Sequence, residues 1–474
     1  MKATFILNED NGNVNIEIES FDRNFTEELS PGEAIKISEL IFIAAVKISQ
    51  EVFRQWLLQF ECHEKRIEKD SKIYRYKKDS EKRVITRFGE MKINRRIYQQ
   101  DQGGKIYVPL DAWGVEDQQV SPDVREAVLF MAAVMTPGEI ESCLKKIAMF
   151  HPSRTCIQNV INKMEETVSQ NEDRYMEEIR NNEELPMEEA KAIVVSADGA
   201  NILTRESGIK KGRPTTRPKD EKSESRETPS SYKNVMVGMV NLYGDVSRDQ
   251  KTPERLSQTV MAQMPERNAP QFWKKFDEEV SYIEKSCSSR IPKLLINDGG
   301  RNLWAHFDSK EQYNHFERLV DFHHALEHIS VAGEGIFGKG TEEGKIWYKK
   351  QESTLLEHED GAERVLRSLK YYLKVERYNN TRKGQIEQCI TFISNNRSRM
   401  EYKRFRDNGW PIGSGPVEGA CKNIVKLRLC RNGMRWSNKG GQIILFLRSL
   451  VKSNRWDLFW NSYMNSLNNQ VCPV

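Results

Sequence analysis

Hydrophobic and polar positions recur along the chain with two periods, and the period predicts the type of each element. Strict alternation at 14–18, and in four short runs between 73 and 110, predicts strands. Gly and Asp or Gln turns separate the four runs, so we expect a small antiparallel β meander. Its alternating basic and aromatic residues fit a half-solvated sheet better than a nucleic-acid surface. Between these β segments, an amphipathic helix is predicted from Pro31 to about Lys65.

Residues 119–170 predict helices with recognisable start signals. Ser121 and Thr136 each precede a proline, and Ser153 can cap a helix that extends to about Ser169. Helix, short turn and helix with a polar second face is typical of a helix-turn-helix, whose second helix enters the major groove of DNA. Any helical hairpin shows the same pattern, so DNA reading and a purely structural role both stay open. The side chains that would contact DNA are Arg154, Gln158, Asn159 and Lys163.

Two short apolar runs each end near an aspartate that is followed by glycine. The unbroken run at 191–196 predicts a strand buried on both faces, which ends just before Asp198. The run at 292–297 repeats this pattern and ends at Asp298. An acid just past the end of a buried strand is a common catalytic placement. Glycine after each acid would leave room for a phosphate backbone to approach.

Further patterns complete an α/β chain. Residues 204–231 are rich in Lys, Arg, Glu, Ser and Pro, which predicts an exposed insertion. Residues 324–400 are helical and polar, and 440–460 predict an apolar helix. The remaining predictions are a strand at 234–243, helices at 257–264 and 270–285, and a strand at 316–322 that delivers Asp321.

A Gly-Ser-Gly-Pro loop at 413–416 precedes a helix that combines one acid with several bases. Apolar residues recur at spacings of three and four from Val417, which predicts one buried face. Glu418 lies in the first turn, where the helix dipole favours an ionised carboxylate. The basic residues suit a polyanion such as DNA. They are Lys422, Lys426, Arg428, Arg431 and Arg435.

Length, charge and cysteine content limit the number of domains, the type of binding surface and the cellular compartment that we expect. A chain of 474 residues is too long for one core, so we expect roughly two to four domains. The net charge is only +4, so any nucleic-acid surface must come from segregation of charge. None of the eight cysteines forms a C-x-x-C pair, and neither a secretory leader nor an apolar run of about 20 residues is visible. We therefore expect a reducing, cytoplasmic, nucleoid-associated protein.

Two strand-borne acids and one helix-borne acid form the layout of a two-metal phosphoryl-transfer site. Three such carboxylates can hold two cations about 3.5–4 Å apart, and hard oxygen ligands suit Mg²⁺ or Mn²⁺. Asp198, Asp298 and Glu418 are spaced 100 and 120 residues apart. The second gap is longer than a compact nuclease core needs, which implies an inserted helical domain.

Five motifs occur in order along the chain. They are Asp198-Gly, Asn297-Asp298-Gly, Asp321-Phe-His-His324-Ala-Leu-Glu-His, Gly413-Ser-Gly-Pro-Val-Glu418-Gly-Ala-Cys-Lys422 and the tail that begins Gly433-Met-Arg-Trp436. Together they resemble bacterial insertion-sequence DDE transposases of the Kra type, in the Mutator-like group of RNase H-fold transposases. The resemblance covers about residues 120–460, and the block at 409–460 is its most specific part.

The resemblance implies an α/β fold in which an RNase H-like, retroviral integrase-type catalytic core is interrupted by an all-α insertion. It implies that Asp198, Asp298 and Glu418 are the metal-binding catalytic triad for two Mg²⁺ or Mn²⁺ ions. Asp321 and His324 would lie near the site and assist catalysis. The substrate would be double-stranded DNA, namely the terminal inverted repeats of the element and its target. Because two ends must be held together, a homodimer or higher oligomer is expected.

Five regions follow from these patterns. The all-α insertion is expected at about 325–405, between the two parts of the core. The other regions are an N-terminal helix with a small β region at 1–115, a helical, helix-turn-helix-like region at 116–185, the first part of the core at 186–324 and its last part at 406–474.

Two other functions stay open. Residues 324–328 also fit H-x-x-E-H, the inverted zinc-peptidase motif, with His324 and His328 as ligands and Glu327 as the base. That motif explains neither the two Asp-Gly pairs nor the basic helix. A domesticated, catalytically inactive DNA-binding protein would keep the same fold, although all three acids of the triad are intact here.

Overall fold

The computed structural model describes residues 3–7, 14–18, 30–69, 71–116, 118–148, 150–205, 232–246, 252–288, 290–375 and 378–468. The predicted exposed insertion at 204–231 lies outside the described residues, apart from its first two positions. No helix within the described ranges is both long and apolar enough to cross a membrane.

The N-terminal region is a long helix beside a four-stranded antiparallel sheet. The helix begins at the predicted proline but ends at Leu58, before Lys65. The predicted meander is confirmed, although its first two runs form one long strand. The elements are β1 (Ala3–Leu7), β2 (Val14–Ile18), α1 (Pro31–Leu58), β3 (Arg66–Lys69), β4 (Lys72–Thr86), β5 (Gly89–Gln100) and β6 (Ile106–Tyr107).

Three helices follow, and each starts where the sequence predicts. Thr136 forms a complete capping box with Glu139, and the Ser153 side chain accepts a hydrogen bond from the Cys156 amide. The third helix passes the predicted end at Ser169, because Tyr175 and Ile179 continue its buried face. The helices are α2 (Pro122–Ala132), α3 (Pro137–Ile147) and α4 (Arg154–Asn182).

A five-stranded mixed sheet forms the centre of the molecule. Three strands are antiparallel, and the last two run parallel to the first, which gives the order β11-β10-β7-β8-β9. Its elements, with the two helices between them, are β7 (Ala192–Leu203), β8 (Tyr232–Val246), β9 (Pro253–Gln263), α5 (Pro270–Ser286), β10 (Lys293–Asn297), α6 (Arg301–Ser309) and β11 (Glu317–Val320).

The helix predicted at 257–264 is wrong, because this segment is part of β9. It pairs with β8 along nearly its whole length, and Val260 and Ala262 alternate into the core. A short apolar run fits a strand as well as a helix by pattern alone, and here the neighbouring strand decides.

Helices cover both faces of the central sheet. Val240 and Leu242 of β8 pack into a core that includes α5, whereas Val237 and Met239 pack into a second core that includes α4. The long helical segment after β11 shares the first core. It comprises α7 (Phe322–Phe337), α8 (Glu342–Glu357), α9 (Gly361–Val375), α10 (Asn380–Asn396) and α11 (Tyr402–Asp407).

The C-terminal segment returns to the sheet. A π-helical turn, Cys421–Lys426, interrupts the helix that was predicted to begin near Val417. The single tail helix predicted at 440–460 is two helices, separated by Asn454 with a φ of 55°. The helices are α12 (Gly415–Ala420), α13 (Leu427–Leu429), α14 (Asn438–Lys452) and α15 (Trp456–Asn468).

Candidate active site

Two aspartates directly follow neighbouring strands, and a third lies within the strand beside them. In the parallel pairing of β10 with β7, Leu295 is opposite Val195. In the pairing of β10 with β11, Asn297 is opposite Val320. Continuing both registers places Asp298 level with Asp198 on one side and with Asp321 on the other. The fold therefore places acids that are distant in sequence at neighbouring strands of one sheet.

Asp198 lies within β7, not after its end as predicted. The strand continues to Leu203 because β8 keeps pairing with it, and Asp198 is opposite Val237. Asp198 is half-buried, and its Oδ1 accepts a hydrogen bond from the Gly199 amide at 2.6 Å. A Cβ at Gly199 would lie 2.3 Å from Nδ2 of Asn234. This glycine therefore makes room for the Asn234 side chain, and the approach of a phosphate backbone stays a prediction.

Asn297 holds the two strands together just before the acids. Its side chain is fully buried, and its Oδ1 accepts a hydrogen bond from the Ala197 amide at 2.7 Å. The last backbone register pair between β7 and β10 is Leu295 with Val195. The side-chain amide of Asn297 thus joins β7 to β10 beyond the last backbone register pair. We infer that this contact sets the spacing of Asp198 and Asp298. Asn297 is part of the Asn297-Asp298-Gly motif, but the sequence alone does not indicate this role.

The loop at Asp298 is fixed from two sides. The carboxylate Oδ1 accepts a hydrogen bond from the Gly300 amide at 2.9 Å, and the Asp298 carbonyl accepts one from Nε1 of Trp304 at 2.7 Å. A Cβ at Gly299 would lie 2.3 Å from Cε2 of Phe392 on α10. The helical segment after β11 therefore packs directly against this acid-bearing loop.

Asp321 connects two helix starts. It is fully buried, and its Oδ1 accepts a hydrogen bond from the His324 amide at 2.6 Å, which caps α7. Its other carboxylate oxygen accepts one from the Ser414 amide. The Ser414 carbonyl in turn accepts from the amides of Val417 and Glu418 at 2.9 and 3.3 Å. Asp321 therefore positions the helix that carries Glu418.

Glu418 is exposed and lies within electrostatic range of Asp321 and Asp198. Partial burial raises its pKa, and the negative charges of Asp321 and Asp198 raise it further. Cys421, one turn along, is buried against Asp198, and burial together with that carboxylate raises the pKa of its thiol. The π-helical turn places Cys421 on this inner face. Such turns are rare and are frequent at functional sites.

The acids have the chemistry of a hard-cation site. Carboxylate oxygens are the donors that Mg²⁺ and Mn²⁺ prefer, and a bound cation would offset the negative charges of Asp321 and Asp198 that raise the pKa of Glu418. Among the residues that the structure describes, no three His, Cys, Asp or Glu side chains lie close enough together to hold a metal ion.

Asp198 and Asp298 open into one groove. Asn234 of β8, Trp273 of α5 and Arg301 at the start of α6 also line it. The Arg301 guanidinium gives this otherwise acidic groove a cation that can face a phosphate.

The rings of His324 and His328 both lie beside Phe392 of α10. Nδ1 of His324 is 3.5 Å from a carboxylate oxygen of the exposed Glu327. The His328 ring stacks on Phe392 with a centroid distance of 3.9 Å. Burial lowers the pKa of His328, and the neighbouring His324 lowers it further.

The basic residues after Glu418 divide into two groups. Lys422, Lys426 and Arg435 are exposed, and Arg431 is exposed but paired with Glu139 of α3 at 2.6 Å. The predicted phosphate contact does not fit Arg428, which is only 1% exposed. Its Nε donates to the Ala132 carbonyl, its guanidinium lies over the Trp436 ring, and burial lowers its pKa to about 10.

The polar face of α4 is largely accessible, and its contact with DNA stays a prediction. Arg154, Gln158 and Asn159 are exposed, and Lys163 is half-buried. The opposite face is anchored, since Ile157 and Val160 are buried.

Comparison with known proteins adds little to this geometry. No family model and no curated protein matches the chain. Among solved structures, it is similar to a chain of the Drosophila P element transposase strand transfer complex. The identity is 11%, the TM-score is 0.23, and the match covers 74% of this chain and 81% of that chain. A likeness at that TM-score does not bear on what this protein does.

Proposed function

We propose that this protein is an insertion-sequence DNA transposase with a DDE triad of Asp198, Asp298 and Glu418. It would cut double-stranded DNA at the element ends and join the freed 3′-hydroxyl to target DNA. The observation that carries the proposal is the hydrogen bond from the Ala197 amide to Oδ1 of Asn297, which joins the residues directly before Asp198 and Asp298. The negative charge of Asp198 also acts on Glu418 of α12.

The strand order supports an RNase H-like core. Three antiparallel strands are followed by two that run parallel to the first. Asp198 lies on the central strand, β7, and Asp298 directly follows its neighbour β10. The helical segment from α7 to α11 lies between the second aspartate and the glutamate, where the resemblance expects an insertion.

The residues of the site have different roles in this mechanism. Asp198, Asp298 and Glu418 would hold Mg²⁺ or Mn²⁺. Two such ions, when bound, activate the attacking water or 3′-hydroxyl and stabilise the leaving oxygen. Asn297 sets the spacing of the aspartates, and Asp321 orients the glutamate helix. His324 would assist from the edge of the site.

DNA would lie over the exposed basic residues beside the acids. Lys422 and Lys426 project from the turn after Glu418 and would bind backbone phosphates, as would Arg431 and Arg435. The polar face of α4 would contact the element end.

Two conservative variants test the proposal. Asp298→Asn and Glu418→Gln remove a carboxylate charge without changing size, so each should lower Mg²⁺-dependent strand cleavage on the order of 10²–10³-fold. Binding to an end fragment should change little. Asp245→Asn, an exposed aspartate at the far end of β8, serves as the control. Full cleavage by Asp298→Asn would show that Asp298 is not part of the active site.

The same assay addresses the two alternatives. Wild-type protein that binds DNA but cleaves none with either cation would be a DNA-binding protein without catalysis. Stoichiometric bound zinc, with casein hydrolysis that is lost in His324→Ala, would favour the peptidase.

A further inference from the structure

Helix α1 carries an unusual concentration of exposed apolar side chains. Every described side chain from 34 to 43 is exposed, and Leu40, Ile41 and Ile43 are 56%, 52% and 50% exposed. Further along the helix, Trp56 is 51% exposed. A helix that is apolar around most of its circumference needs a covering partner in water.

One face of α1 is already used within the chain. Leu57 is buried against the meander, Phe53 packs beside it, and the Gln50 side chain donates to the Phe88 carbonyl at 2.6 Å. These contacts hold the second half of the helix only. At about 100° per residue, they lie roughly 140° around the helix from a second face that contains Ile41.

The second face has coiled-coil spacing. Its positions alternate between steps of four and three residues over six steps, which is the seam of a two-helix pair. The residues on this seam are Ala34, Ser38, Ile41, Ala45, Ile48, Val52 and Gln55.

The seam is complementary to itself in the antiparallel direction. When two copies are aligned with Ile41 of one opposite Ala45 of the other, Ile48 faces Ser38 and Val52 faces Ala34. Each layer then joins a large residue to a small one, which fills space evenly. A parallel pair would instead stack Ile41 on Ile41 and Ala45 on Ala45.

The available area is sufficient for a specific contact. A helix of 28 residues is about 42 Å long. Half-exposed side chains of this size offer on the order of 60–100 Å² each, so two seams would bury roughly 1,000 Å², near the lower limit for a specific interface. We infer that α1 is the dimerisation surface of this protein and that it pairs antiparallel with α1 of a second copy. This inference does not depend on the proposed activity.

Oligomeric state tests the surface, with a matched pair of variants. Full-length wild-type protein without DNA should sediment at twice the 55.2 kDa chain mass. Ile41→Asp should shift it to the monomer and raise the dissociation constant at least tenfold. Ile43→Asp makes the same change at nearly equal exposure on the opposite side of the helix, and it should leave the dimer intact. Circular dichroism should show equal helix content in both variants. A monomeric wild type at 50 µM, or equal effects of the two variants, would overturn the inference.

Crosslinking tests the direction of pairing. Ile41→Cys and Ala45→Cys should form a disulfide-linked dimer when mixed and oxidised, and neither should do so alone above the wild-type background from native cysteines such as the exposed Cys430. Crosslinking of Ile41→Cys alone would mean a parallel pair, which contradicts the antiparallel register.

Discussion

At the scale of single residues, one buried amide decides how far apart two candidate catalytic acids lie. The two aspartates can be predicted from the sequence, since each follows a buried apolar run and precedes a glycine. Their common level cannot, because it depends on the register of β7 with β10. The role of Asn297 depends on the same register, since its partner is a backbone amide 100 residues away.

We predict that Asn297→Ala separates the two strands at the site. The variant leaves the buried Ala197 amide without an acceptor, which should lower the free energy of unfolding by about 1–3 kcal/mol. A displacement of the acids near 1 Å should lower strand cleavage on the order of 10²-fold. Thermal unfolding and cleavage kinetics measure both effects. The exposed Asn314 provides the control Asn314→Ala. Wild-type cleavage in Asn297→Ala would mean that the spacing does not depend on this amide.

At the scale of elements, the sequence predicted helices and strands best where a start signal stands next to a clear period. The caps of α3 and α4 are of this kind. It failed where a neighbour decides, as in β9, and where a helix changes its hydrogen bonding, as in the π-helical turn at Cys421–Lys426. The contact between α10 and the Asp298 loop also has no local signal, since it joins Gly299 to Phe392.

We predict that Gly299→Ala displaces the Asp298 loop and that Phe392→Ala compensates. The new methyl group would overlap the Phe392 ring, which should cost about 1–3 kcal/mol and lower cleavage. Removing the ring in the double variant should restore part of the activity. The matched control is Gly384→Ala on α10, the helix that carries Phe392, because its new methyl group would meet no atom within 4 Å. A double variant no more active than Gly299→Ala would show that the two residues do not interact.

We also predict a pH-dependent stability at α7. The pKa of His328 is lowered in the folded state, so the folded protein favours the neutral ring. The contribution of the neutral ring to the free energy of unfolding is therefore fully present above pH 6.5, the ordinary pKa, and is lost as the pH falls below that value. The midpoint temperature of thermal unfolding should therefore decrease as the pH is lowered from 7.5 to 5.5. His328→Phe keeps a ring against Phe392 and should reduce this fall, whereas replacement of the exposed His151 by Phe should not. An unchanged pH profile in His328→Phe would rule out His328 as the source.

At the scale of the whole molecule, two surfaces carry the proposed interactions, and they differ in kind. The seam of α1 is apolar and fits a second copy of the chain. The surface beside Glu418 is basic and fits DNA. The sequence pattern does not distinguish the five basic residues there, but their burial and pairing in the fold do. Arg428 is buried against Trp436, and Arg431 is paired with Glu139, whereas Lys422 and Lys426 remain exposed. Which side of a helix faces solvent depends on its packing, and the π-helical turn changes that packing.

The salt dependence of DNA binding measures this separation. Each phosphate contact contributes about 0.9 to the slope of log affinity against log salt. Lys422→Ala combined with Lys426→Ala should therefore reduce the slope by about 1.8, with little effect on unfolding. The exposed pair Lys349→Ala and Lys350→Ala on α8 makes the same change of net charge and should leave the slope unaltered. Arg428→Ala should instead lower the unfolding temperature, because it removes a buried contact with Ala132 and Trp436. Equal slopes for both lysine pairs would mean that DNA is attracted by total charge, and that the surface beside Glu418 has no special part in holding it.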